Sequence, residues 1–146
     1  MAGRLLAGAA RAAINPLLGV RTMGFSSRVG YVESIASDLT ATTLVLANQQ
    51  TAVAIVALDI CLLPISRADT LRRAVGEAIG APAANVLVNF SHTHSAPAFP
   101  GWQPESAEQT RLQELPFGNG HAALQAAREI GHEFVASSGE ADGFER

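Results

Sequence analysis

The sequence predicts an α/β fold with a mixed central sheet, in which a hairpin feeds a βαβ unit that forms part of a domain. Three observations predict it. Two β-rich runs, "TATTLVLA" (Thr40–Ala47) and "TAVAIVALDICLL" (Thr51–Leu63), are separated only by "NQQ", and a short polar break between such runs signals a hairpin. The next stretch, Pro64 to Pro82, carries Leu71, Val75 and Ile79 at helical spacing, with Arg72, Arg73 and Glu77 on the opposite face. A further apolar run, "NVLVNF" (Asn85–Phe90), follows the helix. Strand, helix and strand joined by brief connections make a βαβ unit, with parallel strands and an expected right-handed crossover.

The totals suit such a domain. With 146 residues, 48% hydrophobic and 16% charged, the chain has a globular composition and enough length for one core. A net charge of −3 and a pI near 5.7 provide neither a basic surface for nucleic acid nor a polybasic membrane patch. Cys61 is the single cysteine, so no internal disulfide forms and a reducing compartment is expected. The opening "MAGRLLAGAARAAIN" imitates a signal peptide, but its apolar part, Leu5–Ala10, is short and Arg11 interrupts it. No run approaches the ~18 apolar residues of a membrane span. A soluble, cytoplasmic protein is the expectation.

Taken in order, Gly8–Ile14 reads as a short first strand, ended by Pro16 and Gly19. "VRTMGFSSRVGYVES" then has no clear period and reads as a long loop, and structureless loops of this length are often functional. The second β-run is apolar on both faces, as an interior strand covered on two sides would be. Pro64 starts the helix, and Gly80 with Pro82 stops it. The expected core is Val45, Leu46, Val53, Ile55, Val56, Leu58, Val75, Ile79, Val86 and Val88. Beyond Pro104, "PESAEQTRLQEL" is compatible with a charged helix. "PFGNG" breaks it, and "HAALQAAREIGHEFV" is amphipathic, with Leu124, Ile130 and Val135 as apolar positions. Residues 137–146 read as a frayed tail.

Chemistry concentrates at the end of the last strand, in "NFSHTHSAPAFPGW". In parallel α/β sheets ligands gather beyond the carboxyl ends of the strands, and His92 and His94 stand at that edge. Asp59 ends the preceding run and reaches the same edge if the strands are neighbours. Residues two apart in extended chain point to one side, with Cβ atoms roughly 6–7 Å apart. Two imidazoles so placed can share a metal, or one can bind metal while the other meets a substrate. H-x-H alone is a weak motif, and paired histidines in a loop are common. His121 and His132 read as solvated surface residues, Cys61 as a small buried core residue, and Trp102 as core or pocket wall.

The order "AGAARAAINPLLGVRTMGF", "SDLTATTLVLANQQTAVAIVALDI" and "NVLVNFSHTHSAP" resembles the N-terminal part of the neutral/alkaline non-lysosomal ceramidase family over about residues 7–102. The family pattern runs G-x-x-x-x-D/N-I-T-P-P-x-G, a glycine–aromatic loop, a strand hairpin and N-V-x-x-x-x-T-H-T-H-S-G-P. Here the matching pieces are "INPLLG", "MGF" and "FSHTHSAP". Asn15, Leu17, Ser91 and Ala96 depart from it, standing for Thr, Pro, Thr and Gly.

The resemblance implies zinc-dependent hydrolysis of an amide, that of ceramide or another N-acyl lipid. It also implies His92 as a zinc ligand, His94 as a catalytic contact to substrate and oxyanion, and Gly24 of "MGF" as backbone near the substrate. The family's remaining ligands, a second histidine, a glutamate and a tyrosine, lie in later segments, and no counterpart follows Trp102. A single imidazole does not hold zinc, since catalytic sites use about three protein ligands plus water. The zinc site of this chain is therefore expected to be incomplete. Residues 1–146 then read as the N-terminal portion of a ceramidase-type catalytic domain, which a partner chain carrying the missing part would complete. The alternative is a non-catalytic, truncated α/β remnant without a complete metal site. A third reading, a barrel-type hydrolase in which both histidines chelate one metal, is opposed by the hairpin that precedes H-x-H.

Overall fold

The computed structural model describes residues 5–25, 27 and 30–99. Within them lies a four-stranded sheet of order β1-β2-β3-β4. Its strands are β1 (Leu6–Ala13), β2 (Thr40–Ala47), β3 (Ala52–Leu58) and β4 (Val86–Phe90), with helix α1 (Ile65–Ala78) between β3 and β4. The sheet is mixed, as expected. β2 pairs antiparallel with β1 and with β3, and β3 pairs parallel with β4.

The hairpin forms where the polar break stands. Asn48 accepts from the backbone N–H groups of Gln50 and Thr51 through its side-chain oxygen, an Asx-type turn closed by the Asn48 N–H donating to the Thr51 carbonyl. Asn85 aligns the parallel pair. It closes a short 3₁₀ turn (Ala83–Asn85), and its side-chain amide donates to the Thr51 hydroxyl and the Ala52 carbonyl at the start of β3. The last strand consequently begins at Val86, one residue later than the sequence pattern suggests. The first strand begins two residues earlier than expected, at Leu6, because β2 offers partners along its whole length, from Leu6↔Ala47 to Ala13↔Thr40.

α1 covers one face of the sheet. Its Leu71 and Val75, with Ile79 just after it, join Val45, Val56, Leu58, Val86 and Val88 in the main core cluster. The expectation that β3 is covered on both faces is corrected. Val53 is 39% and Ile55 41% exposed, and Leu44 and Leu87 point outward with them. Leu46, also expected in the core, is only half-buried. Alternation of side chains across the pleat sends these residues away from α1, and no described element packs on that side. The expected helices after Pro104, the 137–146 tail, His121, His132 and Trp102 lie outside the described residues.

Candidate metal centre

The carboxyl ends of β3 and β4 run on side by side past the sheet. Ser91 N–H donates to the Leu58 carbonyl, and His92 N–H to the Ile60 carbonyl at 3.1 Å. His92 is then held at φ +56°, a left-handed conformation that costs a non-glycine residue about 1–2 kcal/mol. Strain of this kind persists only where the surroundings over-determine it. Here a second bond does so, in which His92 Nδ1 lies 2.9 Å from the Cys61 carbonyl oxygen. A carbonyl only accepts, so Nδ1 carries the proton and Nε2 of the neutral ring keeps its lone pair. This orientation brings the ring beside the Cys61 thiol, with Sγ 3.7 Å from Nδ1 and 4.0 Å from Nε2.

His94 stands beside His92, the two ring centroids 5.3 Å apart. Its ring is packed edge-on against Phe25 at 4.6 Å. The "MGF" loop reaches it through a small ladder. Ala98 N–H donates to the Arg21 carbonyl, Met23 N–H to the Ala96 carbonyl, and Thr22 bridges Pro97. Gly24, at φ +113°, lies against His94 so closely that a Cβ there would overlap the imidazole and come within 2.7 Å of the His94 Cβ. The glycine thus seats the His94 ring.

Cys61 is buried in a small second cluster with Met23 and Ala98, as its reading as a core residue anticipates, and burial pushes its thiol pKa up. It has a further position that composition and spacing did not reveal. Sγ of Cys61 and one ring nitrogen each of His92 and His94 all lie within 4.8 Å of one another, and among the described residues this is the one group able to hold a metal ion. His92 is exposed and His94 half-buried. Asp59 reaches the same sheet edge but serves the fold. Its carboxylate accepts from the Thr40 hydroxyl at 2.7 Å and the Thr40 N–H at 3.0 Å. The Thr40 hydroxyl holds the Asp59 carboxyl below its ordinary value against the opposing effect of burial, helped by the Thr40 N–H, the Ser91 hydroxyl and the Arg11 charge.

No protein-family model and no curated protein matches the chain. Among solved structures it is similar to neutral ceramidase from Pseudomonas aeruginosa, with a TM-score of 0.64 and 16% identity. The alignment covers 90% of this chain and 22% of that one. At this identity the likeness is one of fold. This chain spans about a fifth of that protein's length. No helix among the described residues is long and apolar enough to cross a membrane.

Proposed function

We propose that this chain supplies the histidine edge of a zinc-dependent amidohydrolase of the neutral ceramidase type, acting on the amide of ceramide or a related N-acyl lipid. The observation that carries this reading is the pair His92 and His94 at the carboxyl ends of parallel strands, on a fold similar to that of a ceramidase. His92 fits zinc, because neutral imidazole is a ligand that this borderline-soft ion takes readily. Residues 1–146 are then the N-terminal portion of the catalytic domain. The further ligands come from outside the described residues or from a partner chain.

In this site His92 would hold the metal through Nε2, its Nδ1 proton fixed by the Cys61 carbonyl. When bound, zinc supplies Lewis acidity toward water and the amide carbonyl. His94, seated by Gly24 and steadied by Phe25, is the catalytic contact. Its ring donates a hydrogen bond to the oxygen of the scissile carbonyl as negative charge builds there, a bond that strengthens in the transition state. Gly24 leaves backbone without a side chain beside that ring, where the substrate amide would pass.

A fluorogenic N-acyl sphingosine, offered to the purified protein with and without zinc, tests the reading. Zinc-dependent cleavage abolished by His92→Ala, with kcat lowered about 100-fold or more by His94→Ala, is the expected result. Cleavage that survives both His92→Ala and chelation would overturn it. The absence of turnover under all these conditions would favour a non-catalytic α/β remnant.

A further inference from the structure

We infer that this chain by itself binds one thiophilic divalent cation, Zn²⁺ or its spectroscopic substitute Co²⁺, through Cys61 Sγ, His92 Nε2 and His94, leaving a fourth position open. For the chain by itself the inference departs from the amidohydrolase reading, which needs only His92 on the metal and gives His94 to the substrate. The two readings differ at Cys61 and His94 and can fail separately.

Three features of the geometry point this way. Cys61 Sγ and one ring nitrogen each of His92 and His94 already lie within 4.8 Å of one another. Donors on a tetrahedral zinc with bonds of ~2.3 Å to sulfur and ~2.0 Å to nitrogen stand about 3.5 Å apart. The 4.0 Å from Cys61 Sγ to His92 Nε2 therefore closes by about half an ångström, within the reach of a small side-chain rotation. Second, the Nδ1 proton of His92 is taken by the Cys61 carbonyl, which leaves Nε2 as the ring nitrogen with a free lone pair. This is the outer hydrogen bond that orients a ligating imidazole and fixes its tautomer. Third, the backbone holds His92 in a left-handed conformation although residues with β-carbons avoid it, and the result of that strain is a ring beside the one thiol in the chain. A core cysteine needs no histidine next to it.

Coordination replaces the Cys61 S–H proton, which passes to solvent, with a sulfur–metal bond, and no oxidant or reductant is involved. The sulfur also sets the preference. A thiolate with two imidazoles favours Zn²⁺ and Co²⁺ over Mg²⁺ and Ca²⁺, which select oxygen donors.

Titrating the full chain with Co²⁺ tests this without any activity measurement. Because Cys61 is the single cysteine, a thiolate-to-cobalt charge-transfer band in the near ultraviolet reports on that residue alone. We expect the band to saturate at one equivalent, to be displaced by Zn²⁺, and to be unaffected by excess Mg²⁺. Cys61→Ser should abolish the band, and His92→Gly, which keeps the left-handed backbone, should weaken Co²⁺ binding about 100-fold. His94→Ala should weaken it by a similar factor, with circular dichroism confirming that each variant keeps the fold. Saturation of Co²⁺ binding with no charge-transfer band in the unsubstituted chain would overturn the proposal, as would affinity unchanged by both Cys61→Ser and His94→Ala.

Discussion

At the scale of the residue, the site depends on what is missing at Gly24. A methyl group there would occupy the space of the His94 imidazole, and φ +113° is a conformation that alanine adopts only under strain. Gly24→Ala is therefore expected to displace His94 while leaving the sheet intact. The measurement is the cobalt titration beside a far-ultraviolet circular dichroism spectrum, with affinity falling about 10-fold and the spectrum unchanged. The family resemblance implied Gly24 as backbone near a substrate. Its packing against a histidine seventy residues away was not legible, because a contact between a loop and a strand end has no period and no fixed spacing. Cys61 illustrates the same limit. Its burial was anticipated from its residue type, and its position beside His92 comes from the parallel pairing that sets the two chain segments side by side.

At the scale of the element, α1 shows packing overriding propensity. Gly76 lies inside the helix, where alanine would ordinarily improve helix stability by about 1 kcal/mol. The chain folds back at the helix end, the Ala81 N–H donating to the Gly76 carbonyl at 2.8 Å, and a Cβ on Gly76 would meet the Ala81 carbonyl oxygen at 2.6 Å. That neighbour is backbone and cannot rotate aside. Gly76→Ala is expected to destabilise the protein by about 1 kcal/mol, the clash outweighing the propensity gain. A urea denaturation midpoint lowered relative to the unsubstituted chain checks it, and a raised midpoint would show that the turn after α1 yields. The start and stop of this helix were readable from Pro64 and Gly80 because both act through local backbone geometry.

At the scale of the whole molecule, the sheet has two unlike faces. Val56, fully buried, faces α1, while its neighbour Ile55 is 41% exposed on the other side, in one row with Leu44 and Leu87. Ile55→Thr is expected to shift stability by less than about 0.5 kcal/mol, and Val56→Thr to cost about 2 kcal/mol through a hydroxyl buried without a partner. Paired urea melts measure the difference. Equal costs at the two positions would mean that the outward face is covered in the full chain. The same row of apolar side chains should also bind a hydrophobic dye in the native state.

The sequence by itself determined the class and order of the described elements: a first strand, a hairpin, a helix and a parallel strand, with H-x-H at the carboxyl edge. These are local properties, written in periods of two and of about three and a half residues and in the turn chemistry of Asn48, Pro64 and Gly80. Tertiary structure alone decided which face of β3 is buried, because an apolar run does not say where the helix will lie. It also decided the composition of the candidate metal centre. Cys61, Gly24 and Phe25 come from segments with no spacing in common with the histidines, and only the β3–β4 pairing and the loop ladder at Arg21–Met23 bring them to one place. A spacing motif registers donors that share a strand, whereas a site assembled across three chain segments is fixed by the hydrogen bonds between them.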